Sequence, residues 1–245
     1  MRVVASIEAR FNSSRLPGKV LADVAGAPAL TRLLRRLRRA RSLDAIVLAT
    51  TTSPADDVLV DWARGEGVAW HRGSEEDVLA RVVGAHRQLG TELVVEICGD
   101  CPLIDPEIID MAVATFRLND ADVVSNTYRL GFPQGADAQV FRLAALEDVA
   151  RTVEDPAVRE HVSLYFYEHP ERYRIIHLAP PPRWHRPEQR LQLDYPEDLA
   201  FIRAVYERLQ PERGDAFGLD EILGLLAREP ALAAINANCR EKPVR

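Results

Sequence analysis

The chain has 245 residues, 47% of them hydrophobic, so it is long enough to form one large domain with a substantial core. Its net charge of -6 argues against a general nucleic-acid binder, because such domains are usually basic. No stretch approaches the roughly 20 apolar residues of a membrane span. We therefore expect a cytoplasmic enzyme that binds neither nucleic acid nor a membrane.

Apolar runs alternate with helical patterns over the first half of the chain. Strands are predicted from the apolar runs at 3–7, 45–49, 68–70, 93–98 and 122–125. Helices are predicted between them at 28–40, 56–66, 76–89 and about 106–118. This alternation indicates an α/β fold with a mostly parallel sheet and helices on both faces. Ligands of such sheets bind beyond the carboxyl ends of the strands.

The pattern is less regular after residue 126. We predict strands at 138–141, 174–177 and 191–194, and helices near 143–153, 157–168, from Pro196 onward and at 219–228. The chain 1–245 is interpreted as a single domain. Within it, the segment 127–190 is expected to be an excursion from the sheet that carries substrate contacts, a dimer surface or both.

A polar loop follows the first strand and contains Arg10, Ser13, Ser14, Arg15 and Lys19. Such a loop can offer positive charge, hydroxyls and backbone N–H groups to a polyanion. Its spacing matches neither G-x-x-x-x-G-K-[ST] nor the dinucleotide glycine fingerprint. On the residues alone, phosphate binding and a solvated turn both stay open.

Two carboxylates follow strands that lie far apart in sequence. Asp100 comes after the strand 93–98, and Asp194 ends the strand 191–194. Either one alone could be a helix N-cap, because a proline-started helix follows each. Together with the cationic loop they favour Mg²⁺, which proteins typically hold with one or two carboxylates plus phosphate oxygens.

Two other patterns are interpreted as structural. Cys98 and Cys101 form a C-x-x-C motif, but no second thiolate pair accompanies it, which disfavours a zinc site. The helix 28–40 is rich in arginine, and we expect these arginines to form a solvated helix face rather than a nucleic-acid patch.

Several motifs occur in a characteristic order: Ala9-Arg10-x-x-Ser13-Ser14-Arg15-Leu16-Pro17-Gly18-Lys19, Ala49-Thr50-Thr51, Arg72-Gly73-Ser74, Gly99-Asp100-Cys101-Pro102-Leu103-Ile104-Asp105, Arg159-Glu160-His161-Val162 and Asp194-x-Pro196-Glu197-Asp198. Over about residues 2–210 this order resembles the CMP-sugar synthetase family. That family includes the 3-deoxy-manno-octulosonate and acylneuraminate cytidylyltransferases. The similarity is greatest to the spore-coat-polysaccharide-type branch.

The resemblance implies a nucleotide-diphospho-sugar-transferase (GT-A-like) fold. It also implies Mg²⁺-dependent transfer of CMP from CTP to an acidic sugar or related small anionic acceptor, with release of pyrophosphate. It implies a homodimer formed mainly through 127–190. Aromatic residues concentrated there support an interface, although they could instead fill a small core of that segment: Phe132, Phe141, Tyr165, Phe166, Tyr167, Tyr173 and Trp184.

The resemblance also assigns roles to individual residues. Arg15, Lys19 and Asp100 are expected to be catalytic, and Asp100 and Asp194 to bind the metal. The nucleotide is expected to contact Ala9, Arg10, Ser14, Arg15, Lys19, Thr51, Gly73, Ser74 and Asp100. The acceptor is expected to contact Asn126, Asp137, Glu160 and His161.

Glu8 departs from the family pattern, because relatives of this branch usually carry glutamine there. It places a negative charge beside the expected triphosphate site. Two alternative functions stay open. One is a GT-A-type glycosyltransferase, which Gly99-Asp100-Cys101 disfavours because it lacks an Asp-x-Asp motif. The other is a non-catalytic nucleotide-binding subunit.

Overall fold

The computed structural model describes residues 1–241. Seven strands form one sheet in the order β5-β4-β1-β6-β8-β7-β9, and β2 and β3 form a small hairpin. The strands are β1 Val3–Glu8, β2 Asp23–Val24, β3 Ala27–Pro28, β4 Ala45–Thr51, β5 Ala69–Gly73, β6 Leu93–Cys98, β7 Val123–Ser125, β8 Gln139–Arg142 and β9 Ile175–His177. Among the strands of residues 1–241, only β8 runs antiparallel to its neighbours in the large sheet, which confirms the predicted, mostly parallel architecture.

Helices cover both faces of this sheet, as predicted. The α-helices are α1 Ala29–Leu37, α2 Asp57–Glu66, α3 Val78–Gln88, α4 Pro106–Leu118, α5 Leu143–Thr152, α6 Pro156–Glu160, α7 Leu164–Glu168, α8 Pro196–Arg213, α9 Leu219–Arg228 and α10 Pro230–Ala234. One large core contains apolar side chains of α1, α2, α4, α8 and α9, and a second core on the opposite face contains those of α3, α5, α6 and α7.

Two predicted elements are wrong. The helix predicted at 157–168 is two short helices, because His161 adopts an extended backbone after α6 ends. The strand predicted at 191–194 does not form. That segment crosses the ends of the strands, where Leu191 N–H donates to Gln134 O at 2.7 Å and Leu193 N–H donates to Asp100 O at 2.8 Å.

The segment 127–190 is not separate from the sheet, contrary to the expected excursion. It contributes β8, which lies between β6 and β7, and β9, which forms one edge. Cross-strand pairing explains this placement, since Val94 pairs with Phe141 and Val124 with Val140, and all four side chains are fully buried.

The aromatic side chains of 127–190 mostly pack inside the chain itself. Phe141 and Phe166 are fully buried, with ring centroids 5.3 Å apart, and Trp184 is buried against Phe132. Apolar burial within one chain therefore accounts for these rings, and they no longer give independent support for a dimer interface.

The arginine-rich helix α1 also differs from expectation. Arg32 and Arg36 are buried rather than solvated, with exposed fractions of 1% and 0%. Arg32 pairs with Asp215 at 2.9 Å, and Arg36 Nε donates to Ile104 O at 2.6 Å. These bonds compensate for the loss of water around each guanidinium. Within 1–241, no helix is long and apolar enough to cross a membrane.

Candidate active site

The N-terminal loop is a closed structure fixed to the sheet. Gly18 N–H donates to Phe11 O at 2.8 Å, and Gly18 adopts a left-handed backbone conformation with φ of 73°. Phe11 N–H donates to Asp56 Oδ1 at 2.7 Å. The sharp turn at Gly18 directs Lys19 back under the loop, where its side chain is buried.

Lys19 lies between the two carboxylates that the sequence singled out. Its Nζ donates to Asp100 Oδ2 at 2.7 Å and to Asp194 Oδ1 at 2.8 Å. Burial alone would lower the pKa of Lys19, but the carboxylates of Asp100 and Asp194 outweigh it and raise that pKa. The structure thus brings together three residues separated by up to 175 positions in sequence.

Asp194 is surrounded by cations although it is only 1% exposed. Arg15 Nη2 donates to its Oδ1 at 2.6 Å, and Arg190 Nη2 donates to its Oδ2 at 2.9 Å. Burial would raise the pKa of Asp194, but Lys19, Arg15 and Arg190 together hold it below its usual range. Asp194 is consequently ionised at neutral pH.

Arg15 has a second terminal nitrogen besides the one that donates to Asp194. Its Nη1 is buried and has no hydrogen-bond partner within the described 1–241 range. Its guanidinium also lies 5.2 Å from the ring centroid of Tyr195, which helps to fix its plane. A buried, unpaired guanidinium N–H is costly, so this atom is suited to an anionic ligand.

The residues expected at the nucleotide come from the N-terminal loop and from the ends of β4, β5 and β6. Arg10 pairs with Glu75 at 3.4 Å, which connects the N-terminal loop to the turn after β5. At the end of β5, a Cβ on Gly73 would lie 3.1 Å from the Arg81 side chain, so a larger residue would require α3 to move slightly away. Ser74 Oγ accepts from Asp77 N–H at 3.1 Å in the turn that begins α3. Ala9 is buried and Ser14 is exposed on the loop.

Thr51 has a structural partner. Its Oγ1 donates to Asp56 Oδ2 at 2.5 Å, and Thr50 Oγ1 donates to the same atom at 3.1 Å. Asp56, which sequence reasoning missed, therefore joins β4 to the N-terminal loop through Phe11. Nucleotide contact by Thr51 stays a prediction, and its hydroxyl is already used for this connection.

Glu8 does not carry the full negative charge that the sequence suggested. It is the last residue of β1, and its carboxyl hydrogen-bonds Ser6 Oγ at 3.1 Å and the carboxyl of Glu96. Burial raises the pKa of Glu8 to about 7 and that of Glu96 well above its usual value. Both shifts favour the neutral carboxyl, which reduces the repulsion of a phosphate by this pair.

The residues expected at the acceptor fall into two groups. Asn126 is 3% exposed, and its amide is bonded to Ala136 O at 2.7 Å and to Ala138 N–H at 2.8 Å, so it fixes the chain around Asp137. Burial raises the pKa of Asp137 to about 7, and the charge of Asp100 contributes to this shift. Glu160 and His161 lie instead at the end of α6. Arg159 in α6 pairs with Asp77 at 3.3 Å, which connects this helix to the start of α3.

The Asp100–Asp194 pair fits a divalent cation in one respect, because both carboxylates converge on one cationic atom, Lys19 Nζ. Over 1–241, no group of three or more acidic, histidine or cysteine side chains could hold a metal without help. A magnesium ion at Asp100 and Asp194 would therefore need oxygen ligands from a phosphate and water, which is its usual coordination beside nucleotides.

The cysteines play no part in such a site. Cys98, Cys101 and Cys239 are free thiols, and burial raises the pKa of Cys101 well above its usual value. This agrees with the structural interpretation of the C-x-x-C motif. Apart from Asp56, sequence reasoning missed Arg190 and named Asp198 only within a family motif, and the side chains of these two residues pair at 2.9 Å.

Comparison with known proteins identifies the family. A cytidylyltransferase family model matches residues 4–217. The spore coat polysaccharide biosynthesis protein SpsF of Bacillus subtilis is 35% identical over 93% of this chain and 95% of its own length. A 3-deoxy-manno-octulosonate cytidylyltransferase of Anaeromyxobacter dehalogenans is 33% identical over 67% of this chain and 73% of its own.

A solved structure of another cytidylyltransferase has the same fold. A cytidylyltransferase from Leptospira borgpetersenii serovar Hardjo-bovis superposes with a TM-score of 0.90 at 26% identity, covering 99% of this chain and 100% of the other. The predicted fold class and the predicted family are both confirmed. The chain belongs to the cytidylyltransferase family and is a nucleotidyltransferase.

Proposed function

We propose that this enzyme transfers CMP from CTP to an oxygen of a small acidic acceptor and releases pyrophosphate, with Mg²⁺ as cofactor. The observation that carries the proposal is the Lys19 ammonium, bonded to both strand-end carboxylates, together with Arg15 Nη1, which has no hydrogen-bond partner among residues 1–241. An ammonium has three donors, and Lys19 uses two of them on Asp100 and Asp194. The third Lys19 donor and Arg15 Nη1 can both donate hydrogen bonds to phosphate oxygens.

The charge balance supports a role for a metal. Three cations (Lys19, Arg15 and Arg190) are paired with three carboxylates (Asp100, Asp194 and Asp198), so this cluster is close to neutral. A triphosphate adds several negative charges that the cluster alone does not compensate. Asp100 and Asp194 are the residues that would hold the magnesium ion, which supplies Lewis-acid stabilisation of the reacting phosphate.

The protein contributes mainly position and charge to this reaction. The oxygen of an acceptor hydroxyl forms a bond to the α-phosphorus and its proton passes to water, while the bond from the α-phosphorus to the bridging oxygen breaks and pyrophosphate leaves. Lys19 and Arg15 stabilise the charge that accumulates on the departing pyrophosphate. The rigid attachment of the loop at Gly18 and Asp56 keeps both cations in place before the substrate arrives.

The acceptor would lie between Asp137 and the end of α6, where Glu160 and His161 are located. Its class is proposed as an acidic sugar or a related anionic metabolite, from the similarity to 3-deoxy-manno-octulosonate cytidylyltransferases. We also propose a homodimer with an interface that includes the segment 127–190. Leu130 is the large apolar residue that this segment leaves exposed, with 73% of its surface accessible.

The test is pyrophosphate release from each of the four nucleoside triphosphates, with Mg²⁺ and a panel of acidic sugars. We expect release with CTP and at least one acceptor, and a loss of at least a hundredfold in Asp100→Asn with the fold intact. Asp110→Asn is the matched control, because Asp110 pairs with Arg41 and Ser42 away from the site and its loss should leave turnover unchanged. Near-normal release by Asp100→Asn would contradict the assignment.

A further inference from the structure

We infer that Asn236, in the C-terminal segment, is a positioning residue for Asp194 and acts on it through Asp198 and Arg190. This inference rests on the proposed function in one respect, the role of Asp194 beside the nucleotide. The segment lies beyond residues 4–217, which the cytidylyltransferase family model matches.

Asp194 is held by a buried ion pair behind it. Arg190 Nη2 donates to Asp194 Oδ2 at 2.9 Å, while Arg190 Nε donates to Asp198 Oδ1 at 2.9 Å. Asp198 Oδ2 accepts the backbone N–H groups of Asp194 and Tyr195 at 2.9 and 3.0 Å. Because Arg190 occupies Oδ2 of Asp194, its Oδ1 is left to accept from Lys19 and Arg15.

Asn236 adds hydrogen bonds to both members of the Arg190–Asp198 ion pair. Its Nδ2 donates to Asp198 Oδ1 at 2.9 Å and to the backbone oxygen of Arg190 at 3.1 Å. Asn236 is 3% exposed and Asp198 is fully buried, so water does not readily replace either bond. One amide group therefore fixes both members of the ion pair that orients Asp194.

The C-terminal helices bring Asn236 to this position. Leu219 N–H, at the start of α9, donates to Asp105 Oδ2 at 2.5 Å, and Asp105 caps α4 only five residues after Asp100. Leu232 in α10 is 5% exposed and anchors the segment in the main core. The segment is thus attached near both strand-end carboxylates, and Asn236 provides the polar contact on the Asp194 side.

The chemistry of an asparagine suits this role. Asp198 needs donors on both oxygens, and a second cation in place of Asn236 would compete with Arg190 for the Asp198 carboxylate. Loss of the Asn236 amide leaves Asp198 with one donor fewer on Oδ1, so Arg190 shifts its hydrogen bonding toward Asp198. The hydrogen bond from Arg190 to Asp194 then weakens, and Asp194 loses its fixed orientation.

The experiment compares Asn236→Ala and Asn236→Asp with Leu232→Ala, a matched control that weakens the packing of the same segment without touching the polar network. Mn²⁺ affinity is measured by loss of the free-ion electron paramagnetic resonance signal, with CTP present and no acceptor. We expect Asn236→Ala to weaken Mn²⁺ binding and to lower kcat by about tenfold each, with KM for CTP within twofold. Asn236→Asp should be at least as impaired, because it keeps the shape but places a carboxyl beside Asp198. Leu232→Ala should lower Tm and leave both quantities unchanged.

The outcomes separate this inference from the proposed function. Unchanged Mn²⁺ affinity and kcat in Asn236→Ala would overturn the inference, and so would equal losses in Asn236→Ala and Leu232→Ala that follow their loss of stability. If no acceptor supports pyrophosphate release but Asn236→Ala still weakens Mn²⁺ binding, the inference stands and the proposed reaction is wrong. Failure of the unmodified protein to bind Mn²⁺ with CTP would overturn both.

Discussion

The Lys19 ammonium should couple energetically to Asp100, and replacing it with an isosteric apolar side chain measures that coupling. Lys19→Met removes two short, charge-assisted hydrogen bonds, at 2.7 and 2.8 Å, from a side chain that is 10% exposed. Bonds of this kind contribute about 1.5–3 kcal/mol each. Asp194 keeps Arg15 and Arg190, so its share of the loss is at the lower end.

We therefore expect Lys19→Met to lower the free energy of unfolding by about 3 kcal/mol, and to lower Tm by roughly 6–12 °C in a chain of this size. Asp100→Asn should cost about 1–2 kcal/mol in the unmodified protein, because it weakens one bond to Lys19. In the Lys19→Met background it should cost almost nothing, since an amide at that position needs no cation. The expected coupling is then about 1–2 kcal/mol.

The assay is urea denaturation of the four proteins of this double-mutant cycle, at neutral pH without nucleotide or metal. Additive effects, with a coupling below about 0.3 kcal/mol, would refute the argument that Lys19 and Asp100 form an energetically significant pair. Unequal denaturant slopes among the four would show a change in the unfolded state and would be corrected for before the comparison.

Three further predictions follow from the site and the surface. Lys19→Ala should weaken CTP binding at least tenfold more than CMP binding, because Lys19 is expected at the β- and γ-phosphates; equal losses in calorimetric titrations would place it elsewhere. The pKa of Glu8 is about 7 in the folded chain against 4.5 ordinarily, so the folded state holds the proton more tightly and stability falls as pH rises from 4.5 to 7. Glu8→Gln should remove up to about 3 kcal/mol of this pH-dependent loss in the free energy of unfolding. The Tm difference between Glu8→Gln and the unmodified protein should therefore grow from pH 4.5 to 7, and a constant difference would contradict the prediction. Light scattering should show that the unmodified protein is a dimer and that Leu130→Glu dissociates it. Leu118→Glu is the control, at a site that is 84% exposed and outside 127–190, and it should leave the dimer intact. A monomeric unmodified protein would exclude the dimer.

The local parts of the fold and site could be predicted from the sequence. The strand at Leu93–Cys98 and the helix at Leu219–Arg228 have the predicted bounds, because apolar runs and capping residues determine them locally. Asp100 and Lys19 were selected because each stands in a recognisable motif after a strand. Their direct contact depends on the parallel pairing of β1 with β6. The alternation of strands and helices predicts a parallel sheet but not which strands are neighbours.

Long-range side-chain pairing could not be predicted in the same way. Asn236 meets Asp198 across 38 positions, and neither residue stands in a local pattern that names its partner. The burial of Arg32 was missed for the same reason, since its carboxylate partner Asp215 lies 183 residues away. The segment before Asp194 had the composition of a strand, but it crosses the strand ends where only isolated backbone bonds are available.

Phosphorus-31 magnetic resonance of CTP turnover tests the central claim most directly, that the Lys19–Asp100–Asp194 cluster supports substitution at the α-phosphorus. With Mg²⁺ and a suitable acidic acceptor, we expect pyrophosphate to appear together with an equal amount of a new phosphodiester resonance from CMP joined to the acceptor. Both signals should be absent with Asp100→Asn. Formation of CDP and inorganic phosphate, or of pyrophosphate with free CMP only, would contradict the proposed transfer.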